Sequence, residues 1–270
     1  MVTVSSLCVG KELLIGKTVN TNAYWIGGRL LAAGIMLDRI LTVTDSLPEI
    51  SSGLKELLSR KPDFIIVVGG LGPTPDDMTL RGVAMALGRK VRADEAALEL
   101  IRKHYANRGL ADIEMTPARR KMAMLPDEST PVVNEIGTAP AVRIERSGTV
   151  IFCLPGVPRE MKIIYRHSVD PEIRKKVGPL YPSRATMHLE GVFESTLTPA
   201  IAQAMRDYPS AYIKSHPRGL KGGTSRVELD AVVTYPSKKR SEEERGEIVA
   251  FFTEKVKEAG GTIVRKTLSP

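Results

Sequence analysis

The chain has 270 residues, a formal net charge of +8, 42% hydrophobic and 26% charged residues. That balance is globular rather than disordered, and no run approaches the ~18 apolar residues of a membrane span. Its two cysteines, Cys8 and Cys153, form no C-x-x-C pair, and neither H-E-x-x-H nor G-x-S-x-G occurs, which leaves zinc, dithiol and serine-hydrolase chemistry without support.

In chain order, residues 3–9 read as a first strand. They lack the basic flank and the length of a signal peptide, so the chain is expected to be cytoplasmic. Thr21 and Asn22 can cap a helix carrying Trp25, Ile26, Leu30 and Leu31, ended by Gly34 in the left-handed conformation. Ile35–Val43 reads as a second strand. Ser46, Pro48 and Glu49 make a capping-box start for a helix burying Ile50, Leu54, Leu57 and Leu58. The run of five apolar residues from Phe64 to Val68 predicts a strand buried on both faces. Leu80, Val83, Ala84 and Leu87 form the next helical stripe, closed by Gly88. Alternation of strand and helix predicts a mostly parallel sheet with right-handed crossovers.

Residues 94–106 and 117–124 read as helices. Val142–Glu145 and Thr149–Leu154 read as a hairpin around Ser147-Gly148, and 159–166 as a short helix. Composition shifts at Asp170-Pro171 and at Gly178–Pro182 predict a linker. The remaining order is strand, helix, strand, strand, helix, strand, which is ferredoxin-like. Two domains are therefore expected, 1–170 and 180–270.

The loop from Gly69 to Asp77, GGLGPTPDD, carries the strongest chemical signal. Gly69, Gly70 and Gly72 allow positive φ and close approach of a ligand to the main chain. The loop leads from the carboxyl end of a central strand to a helix N-terminus, where open α/β sheets bind ligands and free N–H groups favour phosphate. Asp76 and Asp77 would repel a phosphate unless a divalent cation lay between them, and Mg²⁺ bridges carboxylate and phosphate. One of the two can cap helix 78–87; only one can. Asp45 ends the second strand. If strands two and three lie close together, Asp45 and Asp77 face one cleft, although Asp45 can equally cap the following helix. Glu12 could reach the same edge or be an exposed carboxylate. The segment Gly10–Thr18 imitates a P-loop but has five apolar-rich residues between its glycines, so no Walker-type ATPase is expected.

These motifs resemble the CinA-type (competence/damage-inducible A) branch of the MoaB/Mog molybdopterin-binding fold. The matching segments are Gly10–Gly16, Asn20–Asn22, Val43–Asp45, Gly69–Thr79, Asn134–Pro140 and Leu154–Lys162, with a weaker match at Gly191–Ser195. The resemblance implies a three-layer α/β/α sandwich plus a small ferredoxin-like α+β domain. It also implies a homo-oligomer, dimer or trimer. Asp45 and Asp77 correspond to the acids tied to catalysis in the molybdopterin relatives. Fuller CinA proteins carry a C-terminal amidase domain for which a chain ending at Pro270 has no room, so amidase activity is not transferred. The chain departs from the family at Arg81, where a glutamate is usual, and at Ala141, where a glycine is usual.

The resemblance to metal-dependent ADP-ribose pyrophosphatases implies hydrolysis of a nucleotide phosphoanhydride. Asp45, Asp76, Asp77 and Glu160 would hold a divalent ion, Mg²⁺ or a transition metal, with potassium (K⁺) also implicated. Gly69, Gly70, Gly72, Thr74, Asn134, Thr138 and Lys162 would contact the nucleotide-like ligand. Glu160 and Lys162 are about as well explained as an exposed charge pair. Pterin-nucleotide handling in molybdenum cofactor synthesis is the first alternative. Nucleic-acid binding is the second and weaker one, because Arg218–Gly222 reads as a hairpin between strands rather than a helix-to-helix G-x-x-G clamp.

Overall fold

A computed structural model describes residues 2–110 and 112–269 of the chain. It forms two compact units, Met1–Leu30 with Ile35–Val177, and Leu31–Gly34 with Gly178–Pro270. The first unit begins β1 (Val4–Val9), α1 (Lys11–Leu14), α2 (Thr21–Leu31), β2 (Leu37–Val43), α3 (Leu47–Ser59), β3 (Phe64–Val68) and α4 (Thr79–Leu87). It continues β4 (Val91–Ala93), α5 (Glu95–Ala106), α6 (Pro117–Lys121), β5 (Met124–Pro126), β6 (Ser129–Val132), β7 (Ala141–Arg146) and β8 (Thr149–Leu154). It closes with α7 (Pro158–Ile164), a π-helical turn (Tyr165–Val169) and α8 (Asp170–Val177).

The main sheet runs β2-β1-β3-β8-β7-β6. The four strands from β2 to β8 are parallel, while β7 and β6 are antiparallel additions. All residues of β1 and β3 are buried, as their apolar runs require of central strands. Because side chains alternate along a strand, Leu7, Val9, Ile65 and Val67 point to one face, where they join α3, α4 and α5 in one core. On the other layer α2 meets the π-helical turn, with Trp25 and Tyr165 edge-to-face at 5.3 Å.

Local chemistry sets most element ends. Ser46 Oγ accepts from Glu49 N at the start of α3, and Asp94 and Thr116 cap α5 and α6 in the same way. Gly88 closes α4 at φ 68°. Ser147 and Gly148 both have positive φ, the two-residue turn that suits the β7–β8 hairpin.

Four expectations are corrected. Asn20, not Thr21 or Asn22, caps α2, its Oδ1 accepting from Ala23 N. The helix expected over 117–124 stops at Lys121, because Met124–Pro126 pairs with Val91–Ala93, a partner about thirty residues earlier in sequence. Ser129–Val132, where no strand was expected, is the edge strand β6; Pro131 is tolerated there because an edge leaves some N–H positions unpaired. The linker expected at Asp170-Pro171 is helical. Pro171 supplies no N–H to the preceding turn, and the wide π-helical turn directly before it accommodates that loss within one continuous helical run.

The second unit contains β9 (Tyr181–Glu190), α9 (Glu194–Asp207), β10 (Tyr212–Lys221), β11 (Thr224–Tyr235), α10 (Lys238–Glu258) and β12 (Thr262–Ser269). Its antiparallel sheet, ordered β10-β11-β9-β12, is the ferredoxin-like arrangement. Alternate residues of β9 and β11 are buried in a core with α9 and α10. Helix α9 starts at Glu194 and carries Pro199 five residues further along. Arg218–Gly222 belongs to the β10–β11 hairpin, whose turn glycines Gly222 and Gly223 both have positive φ.

Candidate functional site

In the parallel sheet, β1 leads through α2 to β2 on one side, and β2 crosses back through α3 to β3 on the other. The chain therefore changes direction between β1 and β3, and ligands of open α/β sheets bind outside such a switch point. The loop after β3 begins there. Gly69 has φ 107°, and a Cβ on it would lie 2.2 Å from the Val9 carbonyl oxygen at the end of β1. Only glycine permits that approach. Gly69 N donates to Leu154 O at the end of β8, so three strand ends are tied together beneath the loop.

The loop is held from both ends. Thr79, fully buried at the start of α4, donates from Oγ1 to Gly69 O at 2.7 Å and from N to Gly70 O at 3.2 Å. Asp77 Oδ2 accepts from Thr74 N at 2.9 Å and from Thr74 Oγ1 at 2.6 Å. Asp76 Oδ1 approaches the same Thr74 hydroxyl. One hydroxyl proton thus faces two carboxylates. The bond from Thr74 and a backbone N–H hold the Asp76 carboxyl below the usual aspartate value. Neither acid caps α4, whose N-cap position is Met78 with no side-chain bond. The backbone N–H groups of Gly70 and Gly72 find no backbone acceptor among the described residues, leaving donors for a ligand.

Beside the loop lies a cavity of about 340 Å³. It is lined by the charged Asp77, Arg81 and Lys121, by Gly70 and Gly72, and by the apolar Leu71, Leu80, Val91 and Met124. Lys121 Nζ donates to Gly72 O at 3.0 Å and Asp77 O at 2.6 Å, pinning both ends of the acidic turn. Burial and, more weakly, Arg81 lower the Lys121 pKa, against the opposing pull of Asp77 and Asp76.

The remaining expected residues occupy other places along the same sheet edge. Asp45 follows β2, and β1 stands between β2 and β3, so the strands leading to Asp45 and to the glycine loop are about 10 Å apart across two strand spacings. Strands two and three are not neighbours. Asp45 Oδ2 accepts from Lys11 N at 2.8 Å, joining the α1 turn to the end of β2, and it does not line the cavity. Glu160 sits over Gly137, where a Cβ would lie 2.0 Å from its Oε2, and accepts from Asn134 Nδ2 at 2.7 Å. Asn134 is buried; its Oδ1 accepts from Gly137 N and its Nδ2 also donates to Ala139 O, so its amide organises the loop that carries the half-buried Thr138. Lys162 lies against the Trp25 ring, 5.7 Å from its centroid. Among the described residues no group of three or more His, Cys, Asp or Glu is placed to hold a metal.

Lys121 went unremarked in sequence. It lies just before the helix-to-strand change, forty-four residues beyond Asp77, and only the fold brings it to the loop. For His104, in α5, burial and then Arg108 lower the pKa, while Glu160 raises it.

Residues 5–175 match the family model described as a probable molybdopterin binding domain. The chain belongs to this family. A protein of Aeropyrum pernix is 39% identical over 257 residues, covering 95% of this chain and 94% of the relative. A crystal structure of the protein CinA, of unknown function, from Thermoplasma acidophilum is 38% identical with a TM-score of 0.56, covering 65% of this chain and 98% of that one. The molybdopterin biosynthesis enzyme MoaB from Thermus thermophilus is 22% identical, with a TM-score of 0.44, over 66% of this chain and 94% of that one. The first unit is thus a MoaB/Mog-like α/β sandwich with a mostly parallel sheet, and the ferredoxin-like unit is a second, small domain.

Proposed function

We propose that the first unit hydrolyses a phosphoanhydride in a nucleotide of the ADP-ribose type, with a divalent cation. The observation that carries this reading is the glycine loop at the switch point, where the Asp76 and Asp77 carboxylates converge on the Thr74 hydroxyl. Two carboxylates brought together without a cation repel. A protein donor set of one or two carboxylates, completed by substrate phosphate and water, suits Mg²⁺ better than a metal needing a full set of protein ligands. Asp76 and Asp77 are the residues that would hold it. A bound cation supplies charge neutralisation at the phosphates and a more acidic water.

The chain's own residues orient the substrate. The N–H groups of Gly70 and Gly72 present donors toward a phosphate oxygen, and Thr79 and Lys121 keep the loop in that shape. Asp45 acts from the far side of β1, through the turn that its bond to Lys11 fixes. Glu160, Asn134, Thr138 and Lys162 would meet the sugar or base end of an extended ligand. Turnover of ADP-ribose by purified protein, with Mg²⁺ or a transition metal and with or without K⁺, tests the reading. Asp77→Ala and Asp45→Ala should each lower kcat/KM at least ~100-fold if they act on the reaction, a loss typical of removed catalytic stabilisation. Unchanged turnover in both variants would sink the assignment.

The family description favours a second reading, a molybdopterin-type ligand. The apolar residues among the cavity lining suit a planar ring, and co-purification of a fluorescent pterin is the observation that would select it. Self-association belongs to either reading. Leu14, Ile15, Val19 and Tyr24 are each more than half exposed in and after α1, an apolar stretch of the kind that oligomers cover. Light scattering on the purified chain reports the assembly. No helix among the described residues is long and apolar enough to cross a membrane.

A further inference from the structure

We propose that the cavity beside the glycine loop is a phosphate subsite that works without a metal, with Arg81 as its anion-binding residue. The inference rests on the nucleotide reading above, but not on its hydrolytic step. It assigns the subsite an organic phosphomonoester, such as a nucleoside monophosphate.

Charge is the first argument. The ionisable residues lining the cavity are Arg81, Lys121 and Asp77, two cations against one carboxylate. The Asp77 carboxylate is already satisfied in part by the Thr74 N–H and hydroxyl. Asp76 shares the Thr74 hydroxyl with Asp77 but is not part of the lining, so the lining itself carries one more cation than carboxylate. Arg81 is exposed, lines the cavity and enters no ion pair among the described residues. An exposed guanidinium offers five donors in a planar fork matched to phosphate oxygens.

Donor counting is the second argument. An ammonium has three N–H groups. Lys121 spends two on Gly72 O and Asp77 O, which leaves one while fixing the side chain in place. Gly70 and Gly72, whose N–H groups find no backbone acceptor among the described residues, also line the cavity. Lys121 thus acts chiefly as a positioning residue for the loop, and Arg81 is the group free to meet an anion.

Shape is the third argument. A volume of about 340 Å³ is at the small end of ligand sites and exceeds what inorganic phosphate fills. The remaining lining residues, Leu71, Leu80, Val91 and Met124, have no polar side chain to offer. A phosphate on the Arg81 side with an apolar or aromatic body against these residues uses both halves of the cavity.

The test is calorimetric titration of the intact chain with AMP and, separately, with inorganic phosphate, both in EDTA. AMP should bind without metal and more tightly than phosphate, and its affinity should fall as salt is raised. Arg81→Glu should weaken AMP by about tenfold or more, and Arg81→Lys by less, since a point charge replaces the fork. Arg81 is solvent-exposed, and melting temperatures of both variants check that the fold is intact. Binding that requires Mg²⁺, the absence of AMP binding under all conditions, or full EDTA-resistant affinity in folded Arg81→Glu would each overturn the proposal. If the chain fails to hydrolyse ADP-ribose yet binds AMP in EDTA through Arg81, the hydrolytic reading falls and the subsite stands.

Discussion

Gly82→Ala tests how the site is held in place. Gly82 lies in α4, one residue after Arg81, and faces α3. An alanine Cβ there would sit 2.5 Å from Ile50 Cγ2 and 2.6 Å from Ile50 Cβ. Comfortable carbon contacts are about 3.5–4.0 Å, so the two helices must part by about 1 Å. Ile50 is fully buried and β-branched, with essentially one rotamer in a helix, and it has nowhere to swing. Alanine gains about 1 kcal/mol of helix propensity over glycine. Overpacking costs about 1–3 kcal/mol, and so short a contact on a stiff side chain belongs at the upper end. The expected net loss is about 1–2 kcal/mol, roughly a 2–8 °C fall in Tm for a unit of this size. Thermal unfolding by circular dichroism measures it. In a double-mutant cycle with Ile50→Ala, the two changes should cost less together than their sum, because the smaller side chain removes part of the overlap. AMP affinity should fall as well, since α4 carries Arg81. A melting temperature at or above that of the parent chain would refute the packing argument.

Three further outcomes are expected. Lys121→Met removes two charge-assisted bonds to Gly72 O and Asp77 O, and at about 1.5–3 kcal/mol each before solvent discounting the observed loss should be near the value of one, read from urea unfolding. Asn134→Asp sets a carboxylate against Glu160 Oε2 and abolishes the donation to Ala139 O, so its Tm at pH 7 should fall below that of the parent, and Glu160→Gln added to it should restore part of the loss; no restoration would count against like-charge repulsion. Burial raises the Asp230 pKa, but bonds from Thr186 and Arg184 outweigh it and the net shift is downward. The stability it contributes is present above the ordinary aspartate value and is lost as pH falls through the lower folded value, so Asp230→Asn should flatten the acid limb of the second unit's unfolding profile.

Much of the architecture was legible because it depends on contiguous residues. The apolar period of α3 and α4, the five-residue run of β3, the caps at Ser46 and Gly88, and the Ser147-Gly148 turn all involve neighbours in the chain, and the structure contains each of them. The strand and helix order of the second unit also sufficed to name its ferredoxin-like sheet, since few right-handed topologies fit that order. The glycine loop was legible for the same local reason: glycines, acids and helix start occur in one stretch.

Other features depended on chain closure. β4 and β5 are three residues each, too short for a periodic signal, and exist because they pair with one another. The sheet order, which sequence does not give, places β1 between the strands that lead to Asp45 and to Asp77. Asn134 read as a ligand contact and Glu160 as a metal ligand, and only the fold brings them together, Asn134 bonding to Glu160 and to a loop that closes over Gly137. Sequence by itself determined that a glycine–aspartate loop would cap a buried strand. Only the tertiary structure decided which cations meet that loop, because Lys121 reaches it through a fold whose contacts span forty-four residues and which no local pattern encodes.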